Sequence, residues 1–567
     1  MATDFERKVS VDGLTLKLYR GEGAALLAFD LDPAKATRDF VGFSVEVRYP
    51  GSAKFGALRN RLHFDDPPDL TRPRSFKSTE APFQKFRWIH VPTQVEGGEF
   101  RYRLSAKYMT ADGTLTTGPV VEADISLSPE TIGNFVNVGF TRGFASSQAY
   151  ADRFNNETGI LPVPGSPDSA SLQHDMAPFQ EHYDWLGFEA RRLIHAVLDQ
   201  VQADPNLTLD ALIYECKEPD ILQRMVALGD RVRAIIDDHD EQGDPGSCES
   251  ISAQQLAAAG AAVKRTHFAR QQHNKVLLVR RAGIPIRVLA GSTNFSLRGL
   301  YIQANNALLF DDATVAGKFG EMFDAYFASP KAPPFRANAL SQQWWIVRDQ
   351  LGSSVSVCFS PHAASKLSLD LVANAIENAE SSVLYSVVFL SQITGTVRDA
   401  LEDLVNRSLF SYGVAQRTGG LSVRKPDGSL GLLPFAFLAE NAPPPFKAEW
   451  SGNTTGQSNM VHHKFVVTDF NGTNPTVFTG SSNMAQGGEK DNGDHLIRIE
   501  DRKIAIAYAI EALRLFDHFH FRVKAKDANA GQTLRLAKPP APGKKTWFAS
   551  YYRNGHVKER DRKLFIA

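Results

Sequence analysis

Only three cysteines occur in 567 residues, Cys216, Cys248 and Cys358. They are too few and too irregularly spaced for a disulfide framework or a cysteine-based metal site, and they read as buried apolar groups in a reduced compartment. An excess of charge is also missing. The 63 Lys and Arg are matched by 63 Asp and Glu, which argues against non-specific attraction to polyanions as the main driving force. No apolar run of the roughly 18 residues needed to span a bilayer appears. The opening Met1-Ala2-Thr3-Asp4-Phe5-Glu6-Arg7-Lys8 lacks the apolar stretch of a secretory signal. These absences predict a cytoplasmic protein with no transmembrane segment. No acidic cluster suggests a Mg²⁺ site, so neither metal nor cofactor is expected. The length exceeds what one core usually serves, which predicts two or three domains.

Up to about residue 130 the chain shows short alternating runs between turn residues, such as Phe43-Ser44-Val45-Glu46-Val47-Arg48-Tyr49 and Phe100-Arg101-Tyr102-Arg103-Leu104. Period-2 alternation predicts an antiparallel β-sandwich. It resembles immunoglobulin-like or fibronectin-like accessory modules in pattern, and holds no catalytic-looking cluster. A stabilising or docking role is expected. After a hinge at Ser128-Pro129-Glu130, strands alternate with helical stretches, which predicts a parallel or mixed sheet covered by helices. Leu209–Glu215 and Val232–Asp237 read as strands around a helix from Asp220. Ser382–Phe389 followed by the helical run Thr394–Asn406 restates that unit. The predicted organisation is 1–130 β-sandwich, 131–335 first α/β half, 336–530 second α/β half and 531–567 tail.

What is abundant is self-similarity. His273-Asn274-Lys275 recurs 189 positions later as His462-His463-Lys464, and the same offset carries Gly291-Ser292-Thr293-Asn294 onto Gly480-Ser481-Ser482-Asn483 and Asp312 onto Asp501. A constant offset over this span marks a duplicated unit. Two copies about a pseudo-twofold axis would bring both His-x-Lys segments to one cleft. In an extended strand, residues i and i+2 share a face, so each histidine should project with its lysine. Two imidazoles with two ammoniums suit the gripping of a phosphate.

These motifs resemble those of the phospholipase D superfamily, whose members carry two His-x-Lys-x4-Asp motifs, each followed by Gly-Ser-x-Asn. The resemblance spans roughly residues 132–525. His462, Lys464, Asp469, Gly480, Ser481, Asn483 and the downstream Asp494 match. In the first copy His273, Lys275, Gly291, Ser292 and Asn294 match, but Arg280 replaces the aspartate and Asn305 stands where Asp494 stands in the second. The resemblance implies duplicated α-β-α halves and a metal-independent phosphodiesterase. One histidine would attack phosphorus to give a phosphohistidine while the other protonates the leaving alkoxide. It implies His273, Lys275, His462 and Lys464 as catalytic, with Asn294, Asn483, Ser292 and Ser481 as phosphate donors. Asp469, Asp494 and Asn305 would be supporting residues.

A nucleophilic histidine works best when a carboxylate holds its far nitrogen. The resemblance implies Asp494 as that carboxylate, for either histidine. Partnership within one copy would make His462 the nucleophile, whereas family precedent points to the first motif and His273. His239, His267, His362, His463 and His495 read as surface or supporting residues, and Glu215 and Asp237 as locally hydrogen-bonded. A phospholipid-like diester is favoured over nucleic acid, on the neutral charge and on apolar inserts such as Leu432-Leu433-Pro434-Phe435-Ala436-Phe437-Leu438. The alternatives are a metal-independent nuclease and a binding protein whose first half-site has lost its carboxylates. The tail from Arg535 interleaves basic residues with Trp547, Phe548, Tyr551 and Tyr552. Its aromatic part is expected to pack on the catalytic body, with peripheral membrane or nucleic-acid contact as the alternative.

Overall fold

A computed structural model describes residues 5–567 except 66–74, 93–96, 128–130, 133–134, 144–147, 156, 164, 365, 418, 427–428, 435–460 and 528–534. The hinge read at Ser128-Pro129-Glu130 lies outside the described residues.

The N-terminal alternation becomes two antiparallel four-stranded sheets. One orders Glu6–Val11, Leu14–Gly21, Ala24–Leu31 and Arg87–His90; the other orders Leu115–Ser126, Glu99–Met109, Phe40–Arg48 and Gly56–Ala57. Every second residue of Glu99–Ala106 points inward, so Phe100, Tyr102 and Leu104 meet Leu16, Leu27 and Phe43 in one core. Two such faces bury each other, which is why a chain with this period forms a sandwich.

Beyond it lie two larger mixed sheets with the same plan. The first orders Val136–Phe140, Asn306–Phe310, Ile284–Gly291, Lys275–Arg281, Leu207–Ile213, Val232–Ile236 and Ala262–Arg265. The second orders Trp345–Gln350, Ser353–Ser360, Asp494–Asp501, Thr476–Gly480, Lys464–Thr468, Ser382–Val387, Phe410–Ala415 and Leu432–Pro434. In each, the strand that follows the histidine is central and antiparallel to the strand of a parallel β-α-β pair. The fold is therefore α/β with a duplicated unit.

Equivalent helices follow equivalent strands. Asp312 accepts the amides of Thr314 (2.8 Å) and Val315 to cap Ala313–Ala328, and Asp501 accepts those of Lys503 (2.9 Å) and Ile504 to cap Arg502–Asp527. Phe319, Met322 and Phe323 from the first helix and Tyr508 and Leu513 from the second fill one core shared by both sheets.

Two expectations change here. Leu432 and Leu433 are buried as an edge strand beside Phe410–Ala415, so this part of the apolar insert serves the core and is not a lipid-facing surface. Phe435, Ala436, Phe437 and Leu438 lie outside the described residues. The C-terminal aromatics pack chiefly on the β-sandwich: Trp547 and Phe548 stand 5.4 Å from Phe40, and Tyr551 stands 4.5 Å from Phe86. The last helix, Val557–Ile566, reaches the second half through Phe565 against Phe410 and Phe470. The segment thus straps the sandwich and the second half together. Among the described residues no helix is long and apolar enough to cross a membrane.

Candidate active site

The halves meet through reciprocal contacts. Gln272 bridges Gly493 and, at the same offset, Val461 bridges Ala304. The amide of His273 donates to the Gly493 carbonyl (2.8 Å) and that of His462 to the Ala304 carbonyl (3.1 Å). Contacts in which i meets j and j′ meets i′ are the signature of a twofold relation. Both histidines therefore arrive at one seam. Each sits just ahead of its strand, which begins at Lys275 or Lys464.

Across that seam the ring supports are exchanged. His273 Nδ1 lies 2.8 Å from Asp494 Oδ1, a residue of the other half. His462 Nδ1 lies 2.8 Å from Asn305 Oδ1, again across the seam. Partnership within one copy, which would have favoured His462, is thus overturned. The reason is geometric: each asparagine or aspartate leads the strand that crosses toward the opposite histidine.

Asp494 also accepts from the Ser481 hydroxyl (2.6 Å) and the Asn492 amide (3.2 Å). Burial alone would raise its pKa, but His273, Lys275 and Ser481 outweigh burial and hold it at about 2. An ionised Asp494 can only accept, so the Nδ1 of His273 carries the proton and its Nε2 keeps a lone pair. Burial, with the charge of Lys275, lowers His273 to about 4 against the pull of Asp494, which leaves the ring neutral near pH 7.

The mirror position is built alike but uncharged. Asn305 gives its amide to the Gly299 carbonyl (2.8 Å), which fixes its oxygen as the acceptor for His462 and for the Ser292 hydroxyl (2.9 Å). Burial and then Lys464 push His462 well below its ordinary range.

The serines are placed differently from expectation. Ser292 and Ser481 were read as phosphate donors, but each spends its hydroxyl hydrogen on the group behind a histidine, and its oxygen accepts the amide of Asn306 or His495 (3.0 Å each). The glycine before each serine has φ of 145° or 148°, and a Cβ there would stand 2.6 Å from the Asn306 carbonyl at Gly291 or 2.4 Å from the His495 carbonyl at Gly480. Only glycine allows that approach.

Asn294 and Asn483 do line the cleft, and the side-chain oxygens of both are buried without a hydrogen-bond partner among the described residues. Either amide can turn its NH2 group toward an anion. Lys275 and Lys464 are buried, and each donates to the carbonyl of its own histidine, Lys464 at 3.0 Å. Lys464 also stands 3.3 Å from both ring nitrogens of His462. Burial pulls Lys275 down to about 7 and Lys464 well below its usual value, with Lys275 adding to the latter. A site whose burial depresses two ammoniums and two imidazoles gains from an anion.

The remaining candidates separate cleanly. Asp469 accepts the amides of Ser381 (2.7 Å) and Ser382 (3.0 Å) and caps the turn before Ser382–Val387, away from the histidines. Its counterpart Arg280 grips buried Asp210 on the neighbouring strand at 2.6 Å, alongside Arg233. Both positions tie strand ends, so Arg280 marks no loss at the site. Asp237 accepts the amides of Gln272 and His239, and burial raises it to about 7. His495 meets Asn274 across the seam (2.8 Å), and His463 meets buried Glu511 (3.0 Å).

Tyr214 is a site residue missed as such in the sequence. Its ring is 4.8 Å from that of His273 and 4.5 Å from the Lys275 ammonium. Its place at the end of the strand beside His273 was the available signal. The cleft, about 280 Å³, is walled by Tyr214, Glu215, Arg270, Gln303, Phe389 and Gln392 around His273, His462, Asn294 and Asn483.

Residues 207–327 match the family model described as the PLD-like domain of cardiolipin synthase. This stretch is similar to a phospholipase D-like domain. The chain's fold and seam of two histidines accord with that match, which takes in His273, Lys275 and Asn294. Among solved structures, similarity extends to phosphatidylserine synthase of Haemophilus influenzae Rd KW20, at 13% identity over 59% of this chain and 84% of that one, TM-score 0.38. Nuc of Salmonella typhimurium, a phospholipase D family member, aligns at 24% identity over 23% of this chain and 83% of its own, TM-score 0.19. Yeast tyrosyl-DNA phosphodiesterase aligns at 8% identity over 54% and 86%, TM-score 0.30. No curated protein matches the sequence. Among the described residues no group of three or more His, Cys, Asp or Glu side chains is arranged to hold a metal ion.

Proposed function

We propose that the protein is a metal-independent phosphodiesterase that works through a phosphohistidine at His273, with His462 as the general acid and then the general base. The observation that carries this reading is the unequal pair of ring supports, ionised Asp494 behind His273 and neutral Asn305 behind His462. A carboxylate stabilises the imidazolium character that grows as Nε2 attacks phosphorus. An amide orients a ring without holding its proton, which suits a group that must give the proton up and take it back.

In the first step the Nε2 lone pair of His273 forms the P–N bond while the P–O bond to the leaving alcohol breaks. The proton on His462 Nε2 goes to that oxygen. Water then loses a proton to His462 and attacks phosphorus, the P–N bond breaks, and a phosphomonoester leaves. The bound diester supplies the negative charge that restores Lys275, Lys464 and His462 to their cationic forms. Asn294 and Asn483 add donors to the equatorial oxygens.

A phospholipid-like diester is the preferred substrate, supported by the cardiolipin synthase type of the matched domain. The polar walls, Arg270, Gln303 and Gln392, suit a polar leaving alcohol. The test is a panel of bis-p-nitrophenyl phosphate, phosphatidylglycerol, phosphatidylcholine and single- and double-stranded DNA, run in EDTA beside His273→Ala and His462→Ala. Turnover of a phospholipid that both variants lose supports the reading. Turnover of DNA alone would move the substrate to nucleic acid, and wild-type protein no more active than the variants would leave a binding protein.

A further inference from the structure

A second cavity, about 310 Å³, lies where three parts of the chain meet. Phe86 and Trp88 come from the β-sandwich, Tyr412 and Phe516 from the second half, and Tyr551 and Phe565 from the C-terminal segment. The rings pair along the walls: Tyr412 lies 4.0 Å from Phe516, and Phe86 lies 4.5 Å from Tyr551. Its volume is at the lower end of the range of about 300–1,000 Å³ in which small molecules are bound.

The charges along this wall are not balanced. Arg87 is engaged by Asp517 through two bonds, at 2.9 and 3.2 Å, and Arg562 by Asp30. Asp561 is held by Arg560 (3.1 Å) and the Tyr412 hydroxyl (3.4 Å), and Lys85 stands 3.9 Å from the already paired Asp517. Lys558 is left. Among the described residues its ammonium has no ion pair and no hydrogen bond, only the Tyr551 ring at 4.9 Å. Burial and then Lys85 depress its pKa, against Asp561. A half-buried ammonium at the cavity wall without a counter-ion gains when an anion arrives beside it.

We propose that this cavity binds a small anion with an apolar or aromatic body, its charge paired by Lys558 and its body packed among Tyr551, Tyr412 and Phe516. The aromatic walls offer stacking or acyl contact, and the ammonium fixes which end enters first. Because the walls come from three parts of the chain, an occupant also holds the C-terminal segment against the sandwich and the second half. The proposal is independent of the phosphodiesterase reading.

Fluorescence titration of the full chain with 8-anilinonaphthalene-1-sulfonate tests it directly. One saturable site is expected, with affinity falling about tenfold or more in Lys558→Met, lost in Lys558→Glu, kept in Lys558→Arg and unchanged in His273→Ala. Displacement by decanoate would identify an acyl anion, and displacement by AMP an aromatic phosphate. Thermal melting of each variant shows that it is folded. Fluorescence that does not saturate, or equal affinity in folded Lys558→Met, would overturn the proposal, as would loss of binding in His273→Ala, which would place the dye in the catalytic cleft.

Discussion

The two half-sites share a backbone to the level of single hydrogen bonds and differ in the group that stands behind each histidine. Ser481 and Ser292 donate to equivalent atoms, the glycines before them have matching φ, and each histidine amide meets a carbonyl across the seam. Yet one ring rests on a carboxylate and the other on a carboxamide of nearly the same shape. The comparison teaches that symmetry places the two imidazoles, while O⁻ against NH2 behind them is the difference on which the proposed division of labour rests.

The most forceful way to break that comparison is to remove each ring. His273→Ala should lower kcat/KM by roughly 10⁴-fold or more, as loss of a nucleophile does. His462→Ala given bis-p-nitrophenyl phosphate, whose leaving group needs no acid, should accumulate a phosphohistidine that peptide mapping places on His273. A label on His462 would reverse the roles. Asp494→Asn, which equalises the supports, should cost about 10²- to 10⁴-fold in kcat. Equalising them in the other direction, Asn305→Asp, should raise the pKa of His462 and move the pH profile upward, because a new anion favours the charged ring.

Smaller effects sharpen the picture. Lys275, lowered to about 7 by burial, binds phosphate only as the cation, so kcat/KM should fall as pH rises through about 7. A profile flat to pH 9 would show that Lys275 stays charged in the free protein. Asn294→Ala and Asn483→Ala should each cost up to about 10²-fold, in the lower range for one lost donor. Arg280→Met should leave kcat unchanged and lower stability by about 1–3 kcal/mol, since Asp210 loses one of two buried partners and keeps Arg233; denaturant unfolding beside activity reads both.

Much of this was legible in the sequence, and what was not has a physical cause. The repeat located His273, Lys275, His462, Lys464, Asn294 and Asn483, because a constant offset needs no knowledge of the fold. It could not show who supports whom. His273 and Asp494 are 221 positions apart, and only the docking of two sheets decides whether a strand end serves its own half or the other. Ser292 and Ser481, expected as phosphate donors, turn their hydroxyls to the groups behind the histidines, because a hydroxyl beside a glycine turn can face either the cleft or the wall. Arg280 looked like decay until its neighbour across the strand, Asp210, supplied its partner. The alternation of Glu99–Met109 revealed the sandwich, but not that Phe40 and Phe86 would take the C-terminal aromatics.

The exchanged supports carry a consequence for how the chain becomes active. Neither imidazole meets its acceptor until both sheets have folded and closed on each other. Opening of either half therefore silences both histidines at once, and competence is all-or-none. A folding intermediate with one finished half would hold a correctly formed His-x-Lys strand and still have no tautomer fixed. Activity regained during refolding should accordingly lag behind secondary structure and track the closing of the seam.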